Sequence, residues 1–373
     1  MTPKSAPDVK SFPLVLRNPQ AMFYNKGAMR AAVLVGPGKI EVRDWPKPEL
    51  KAGTDVLLRV KAVGICGSDL HYFSEEKVGD TVMRYPVVLG HECAAVVEET
   101  GGGARRFKAG DRVAVEPALS CGECDQCRSG RPNTCRKLAF LGHPKERSGA
   151  LAEFVVMPEG NCYPLAPGMS FAQAALAEPL SIALHAVNLA GGVKGRTVAV
   201  LGAGPIGLDI GLAAGQAGAA ATFMTDKVAF RVRAALREAG AAWAGSPLET
   251  DIVRQILERA PGGVDLVFEC CGKQEALDQA VELLKPGGIL VLVGIPLEER
   301  VSFNITRLRR REIRLQNVRR QNSCVGPALE MIANGRIKVD FMAGHTFPLE
   351  EAQTAFDTAL QYRDGVIKAL ITP

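Results

Sequence analysis

The stretch TVAVLGAGPIGLDIGLAAGQAGAA, residues 197–220, constrains the fold more than any other. A short apolar run, glycines at 202, 204 and 207, and an Ala/Gly-rich run read as a buried strand, a tight turn and a helix. The G-x-G-x-x-G spacing alone is a weak signal. Between a strand and a helix it is the signature of a dinucleotide-binding turn. Gly202 permits the turn, Gly204 lets the backbone approach a pyrophosphate, and Gly207 lets helix and strand pack closely. The helix start, with Ile206 inside the motif, offers free N–H groups to the phosphates. The next strand, ATFMTD, ends in Asp226, about 20 residues on. A carboxylate there accepts ribose hydroxyls and repels a 2′-phosphate, which favours NAD over NADP. Lys227 and Arg231 lie close by and weaken that preference slightly; Arg231 is counted with the nucleotide site.

VDLVFECCG and GGILVLVG read as further buried strands, with helical segments such as QEALDQAVELLK between them. Such alternation indicates an α/β, doubly wound parallel sheet. Upstream, from Met29, short β-like runs are cut by Gly and Pro turns, the pattern of a twisted antiparallel, barrel-like domain. After residue 320, PALEMIANG and AQTAFDTALQ read as helices and VIKALITP as a terminal strand. The expected organisation is an N-terminal extension over 1–28, a first catalytic segment over 29–179, a nucleotide domain over 180–318 and a returning catalytic segment over 319–373. A chain of 373 residues suits two domains.

Hydrophobic content of 47% and charged content of 23% place the chain among globular proteins. No apolar run has the length to cross a bilayer, and the first twenty residues lack the pattern of a secretory signal. A cytoplasmic protein is therefore expected, with a transit peptide as a weaker alternative. The basic run RLRRREIRLQNVRR, residues 307–320, has no interleaved aromatics or nucleic-acid module. It is expected to be solvated or to face a subunit, with some arginines reaching the active site. Ten cysteines without a signal argue against a disulfide framework. Cys162 and Cys324 read as buried free thiols, and Cys270 and Cys271 as packing at a strand end.

Two clusters suggest metal. SCGECDQCRSGRPNTC places Cys121, Cys124, Cys127 and Cys135 within fifteen residues, open to reading as disulfides, a redox pair, an iron–sulfur site or a zinc cage. VGICGSDLHYF contributes Cys66, VVLGHECAAVV contributes His91 and Glu92, and ALAEPLSIALHA contributes Glu178. Each is weak alone. Together they offer thiolate, imidazole and carboxylate, which suits zinc with one position left open.

With GICGSDLHYF, GHE, EPLSIALHA, GAGPIG and TD in view, residues 29–373 resemble the zinc-containing medium-chain alcohol dehydrogenase superfamily. The resemblance is greatest to its sorbitol (L-iditol), xylitol and L-arabinitol dehydrogenase branch. It implies a GroES-like twisted β-barrel catalytic domain joined to a Rossmann domain. It implies catalytic zinc on Cys66, His91 and Glu92, with Glu178 binding directly or through water and touching substrate. Ser68 would lie in the proton path, and Tyr72 and Phe140 would line the substrate pocket. Val293, Gly294 and Ile295, with Asn317, Val318 and Arg319, would border the nicotinamide. The four clustered cysteines match a structural zinc lobe of the superfamily. Their last gap of seven departs from the ferredoxin spacing, and a redox C-x-x-C normally sits in another context. Two zinc ions per chain, NAD and a homo-oligomer, a tetramer by the family habit, follow from the resemblance.

Zinc lowers the pKa of a bound alcohol so that hydride can pass to the nicotinamide. The leading expectation is oxidation of a polyol's secondary hydroxyl to a ketose. Others are a threonine, butanediol or sugar-acid dehydrogenase on the same scaffold, and a catalytically silent scaffold protein. One departure bears on substrate. Where the polyol branch commonly has an Arg-Tyr pair, this chain reads NVRRQN. Arg319 fits the arginine, which would bond substrate hydroxyls. Arg320 replaces the tyrosine, and it would either favour an acidic or phosphorylated sugar or turn to solvent or a subunit.

Overall fold

A computed structural model describes residues 27–50, 53–78 and 81–373. Most of the N-terminal extension expected over 1–28 lies outside these residues. Among the described residues two large sheets are joined by one long helix, with three smaller sheets beside them.

The first sheet is largely antiparallel. Its strands lie in the order Cys162–Pro164, Arg112–Val115, Glu92–Thr100, Asp55–Gly64, Ala369–Thr372 and His345–Pro348, and Phe154–Pro158 also pairs with Asp55–Gly64. The terminal strand, read from VIKALITP, joins the N-terminal half through Leu370↔Gly64 and Ile371↔Val63. Its neighbour His345–Pro348 runs parallel to it. A separate ribbon, Ala28–Gly36 with Lys39–Pro46, closes over this sheet. Register shifts interrupt the long Asp55–Gly64/Glu92–Thr100 pair, the kind of irregularity that bends a sheet towards a barrel.

The second sheet is parallel throughout, with six strands: Thr197–Leu201, Ala221–Thr225, Trp243–Gly245, Val264–Glu269, Leu284–Leu292 and Arg314–Asn317. Numbered along the chain, they lie in the order 3-2-1-4-5-6, the doubly wound Rossmann order. Val198 through Leu201 are all buried, because helices cover both faces. Helices Pro205–Gln216, Ala229–Arg237, Ile252–Arg259 and Gln274–Leu283 alternate with the strands.

Helix Phe171–Leu189 joins the units. Ser170 caps it: its Oγ accepts from the Gln173 N–H at 3.1 Å while Gln173 Oε1 accepts from the Ser170 N–H at 2.9 Å. Small residues, including Ala174, Ala175, Ala177, Ala183 and Ala186, let it pack against the first sheet and against helices Pro205–Gln216 and Val325–Ala333. It runs through residues 179 and 180, where the sequence suggested a boundary. Helices Val325–Ala333 and Ala352–Leu360 match the two C-terminal helical readings. Among the described residues no helix is long and apolar enough to cross a membrane.

Candidate active site

Two chain segments meet beside the Gly64↔Glu92 strand pair of the first sheet. Cys66 caps helix Gly67–Ser74, His91 precedes strand Glu92–Thr100, and Glu92 begins it. One donor atom from each of Cys66, His91 and Glu92 lies within 4.8 Å of the others. That spacing and donor set fit a zinc ion. Asp69 shapes the cluster. Buried three residues after Cys66, it accepts from the Cys66 N–H at 3.0 Å and from the Gly90 N–H at 3.3 Å. Its Oδ1 lies 3.5 Å from His91 Nδ1, so it can fix the ring and leave the other nitrogen for a metal.

Glu178 is not one of the three gathered donors. It is buried on helix Phe171–Leu189, and burial pushes its carboxyl up to about 8; His91 opposes the rise, and Glu92 and Glu116 add to it. A cation beside it would reverse this. Glu92 has a protein partner: Lys368 Nζ reaches its two oxygens at 2.6 and 2.8 Å and the Ile65 carbonyl at 3.2 Å. Asp69 and Lys368 were not singled out from the sequence. The signals were an acid three residues beyond Cys66, at the capping-box position, and a lysine at the start of the apolar terminal run.

The residues expected to line a pocket cluster around this centre. Ser68 is half-buried on the helix that Cys66 caps, and Tyr72 lies further along it with its ring 6.0 Å from that of His143. Phe140 is buried, its ring centroid 5.0 Å from that of His91. Of the adjacent arginines, Arg319 is exposed, whereas Arg320 turns inward with Cζ 3.4 Å from the Phe140 centroid.

The four-cysteine lobe is separate. Sulfur–sulfur separations are 3.5 Å for Cys124–Cys127 and Cys121–Cys135, 3.8 Å for Cys124–Cys135 and 4.0 Å for Cys121–Cys127. A disulfide needs about 2.05 Å. Tetrahedral zinc with Zn–S near 2.3 Å puts its sulfurs about 3.8 Å apart. The lobe therefore fits zinc. Backbone N–H groups of Cys121 and Lys137 donate to Cys135 Sγ at 3.3 and 3.4 Å, which favours thiolate there. Backbone N–H groups likewise pull the Cys124 thiol down to about 6.

The dinucleotide turn lies at the carboxyl ends of the parallel strands. Gly202 has φ +99°, and a Cβ on Gly207 would stand 1.8 Å from the Gly202 carbonyl oxygen, so both glycines are sterically required. Asp226 follows strand Ala221–Thr225. Its Oδ2 accepts from the Ala203 N–H at 2.9 Å and its Oδ1 from the Val228 N–H at 2.8 Å, leaving lone pairs for further donors. Arg231 Nη1 is 3.9 Å from Asp226 Oδ2, and its guanidinium lies over Tyr362. Ile206 is on the helix that the motif opens. Val293, Gly294 and Ile295 follow strand Leu284–Leu292, while Asn317, Val318 and Arg319 end and follow Arg314–Asn317, so both sets stand at the same edge. Cys162 and Cys324 are buried; Cys271 packs beside Gly202.

Comparison with known proteins agrees with this arrangement. Residues 52–167 match the alcohol dehydrogenase GroES-like domain family and residues 205–334 the zinc-binding dehydrogenase family. The chain is 34% identical to a sorbitol dehydrogenase of Bacillus subtilis over 92% of its length and 97% of that protein's. It is 34% identical to an L-idonate 5-dehydrogenase of Vitis vinifera, covering 88% of this chain and 91% of that one. Among solved structures, a proposed zinc-binding dehydrogenase of Sinorhizobium meliloti 1021 bound to NADP superposes with a TM-score of 0.85 at 34% identity, over 93% of this chain and all of that one.

Proposed function

The chain belongs to the polyol branch of the zinc-containing medium-chain alcohol dehydrogenase superfamily, and from that premise we propose that it oxidises the secondary hydroxyl of a four- to six-carbon polyol with NAD, giving a ketose. The observation that carries the reading is Glu178, a buried carboxyl group whose charge responds to His91 and Glu92. It can accept from a hydroxyl next to the reacting one, which a simple alcohol lacks.

Cys66, His91 and Glu92, with Glu178 directly or through water, would hold the catalytic zinc. Zinc there supplies a Lewis acid that makes a nearby hydroxyl more acidic. Ser68 Oγ would pass the released proton outward. Tyr72 and Phe140 would wall the pocket; the arginine turned towards it is Arg320, whereas Arg319, expected to donate to substrate hydroxyls, is exposed. NAD would lie across the glycine turn, with its pyrophosphate at the start of helix Pro205–Gln216 and its ribose at Asp226. Arg231 would border it, as would the edge formed by Val293–Ile295 and Asn317–Arg319. Cys121, Cys124, Cys127 and Cys135 would hold the second zinc.

In this reading residues 29–179 and 319–373 form the catalytic unit and 180–318 the nucleotide unit. Pairing of Ala369–Thr372 with Asp55–Gly64 supports the division. Strand Arg314–Asn317 lies at the edge of its sheet with Leu315 41% exposed, which suits a homo-oligomer. Free cysteines throughout suit a reducing cytoplasm.

The test is initial rates on ethanol, 2-propanol, sorbitol and xylitol with NAD and with NADP. Polyols should exceed ethanol by factors up to roughly 10⁴ in kcat/KM, because ethanol leaves buried polar groups unpaired. Equal efficiency on ethanol and the polyols would sink the reading.

A further inference from the structure

Arg320 is a charged group beside the candidate site, and one of its N–H groups finds no hydrogen-bond partner among the described residues. Its backbone is held in the left-handed region, φ +52°, which any residue with a Cβ disfavours. Two bonds to the cysteine lobe fix the segment: Asn133 Nδ2 donates to the Arg319 carbonyl at 2.9 Å, and Asn322 Nδ2 donates to the Gly130 carbonyl at 2.8 Å. This backbone sends Arg319 outward and Arg320 inward. The Arg320 guanidinium and the His91 ring lie 3.4 and 5.0 Å from the Phe140 centroid, which keeps both within reach of one five- or six-carbon chain.

Nη1 of Arg320 is buried with no hydrogen-bond partner. None of the nearby acids bonds this Nη1 among the described residues. Glu116 Oε1 accepts from the Ala118 N–H at 2.9 Å while its buried Oε2 has no partner there, Glu146 lies 3.3 Å from His143 Nδ1, and Glu178 is buried beside His91 and Glu92. Burial and Arg319 push the Arg320 pKa down to about 10, so it remains a cation at neutral pH. Phe140 offsets part of its desolvation through cation–π attraction, but a buried N–H donor without an acceptor stays unfavourable. A guanidinium offers its donors as a fork that matches the oxygens of a carboxylate or phosphate.

We propose that Arg320 recognises an anionic group, carboxylate or phosphate, carried by the polyol that this enzyme oxidises. The inference rests on the polyol reading and narrows it: the substrate is a sugar acid or a polyol phosphate.

The experiment compares three series of equal chain length with the zinc-loaded enzyme and NAD: neutral polyols, aldonates and polyol phosphates. Wild type should favour one anionic series over the neutral one by about 10- to 100-fold in kcat/KM, the range of a charge-assisted hydrogen bond. Whether that series is the aldonates or the phosphates identifies the anion. The anionic-to-neutral ratio should fall towards one in Arg320→Gln and Arg320→Tyr. Arg320→Lys should keep part of it, having the charge without the fork. Added salt should raise KM for the anionic substrate far more than for the neutral one. The ratio is internal to each variant; if Arg320→Gln does not fold, Arg320→Lys and the salt series on wild type decide. A wild-type ratio at or below one, or a ratio unmoved by substitution, overturns the inference and makes Arg320 a packing residue on Phe140. Oxidation of neutral polyols alone defeats the inference and leaves the polyol reading standing. No reaction in any series defeats both.

Discussion

Replacing Lys368 with Met tests whether Glu92 is held by a buried ion pair. The side chains of Lys368 and Glu92 are only 2% and 1% exposed, and one ammonium meets both carboxylate oxygens. Burial alone would lower the lysine pKa; Glu92, Cys66 and Glu178 overcome it and hold the group above its ordinary value. Met fills nearly the same volume, so lost packing contributes little. What remains is a buried carboxylate without its cation, a loss of about 3–5 kcal/mol. Against a total stability of about 5–15 kcal/mol that is a large share. With a urea m value of about 1–3 kcal/mol/M, the midpoint of the barrel transition should fall by at least about 1 M. A pKa raised on folding stabilises at pH values below the unfolded lysine pKa, and that stabilisation is lost only as pH rises through the folded one. The lysine itself therefore adds no pH dependence from about pH 6 to 9. Urea unfolding followed by circular dichroism, on zinc-replete and chelated protein, measures the deficit. Glu92→Gln/Lys368→Met should recover about half, because the orphaned charge is gone. A deficit under about 1 kcal/mol, or strictly additive single effects, would refute the reasoning.

Cys124→Ser should reduce zinc from about two to about one per chain by metal analysis and destabilise the lobe, since structural zinc contributes directly to folding. Iron with a visible absorption band, or one zinc in the intact protein, would contradict it. Asp226→Ala should weaken NAD and bring NADP nearer to parity in kcat/KM, because the carboxylate that repels a 2′-phosphate is gone; faster turnover of NADP by the unmodified enzyme would contradict the reading. Glu116 is held up to about 7 by burial, against an ordinary 4.5. An acid raised on folding loses stability as pH climbs from its unfolded to its folded pKa, at about 1.4 kcal/mol per unit. Glu116→Gln should therefore gain about 2–3 kcal/mol over wild type between pH 5 and pH 8 by denaturant unfolding, and a pH-independent difference would contradict the assignment.

The glycine turn and the cysteine lobe were legible because their chemistry is local. Strand and helix on either side put Gly202 in a turn and Gly207 at the helix start, where a Cβ is not tolerated, and the cysteine spacing puts four thiols in one loop. Asp226 was legible by its distance along a strand–helix–strand unit. The gathering of Cys66, His91 and Glu92 was not contained in spacing, since it depends on how separate segments pair in the first sheet. The Lys368–Glu92 pair was hidden for the same reason: 276 residues separate its partners. The two arginines show a third limit. Composition gives both the same charge, and periodicity cannot say which faces inward, because a left-handed residue at Arg320 breaks the local period.

That backbone turn also gives the cysteine lobe a reach beyond its own stability. The lobe contributes Asn133 to the Arg319 carbonyl, and its Gly130 carbonyl accepts from Asn322. Strand Ala139–Phe140, just past the lobe, pairs with Ala118–Leu119 just before it, so Phe140 is anchored from the same base. Arg320 and the ring beneath it are thus both positioned by one loop whose sulfurs stand at zinc spacing. The nucleotide sheet supplies strand Arg314–Asn317 on the other side of the segment. Residues 318–322 are therefore gripped from both units, with the lobe fixing the end that carries the inward arginine. A lobe with its metal removed would loosen the polar wall of the pocket while leaving Cys66, His91 and Glu92, which rest on the first sheet and Asp69, in place.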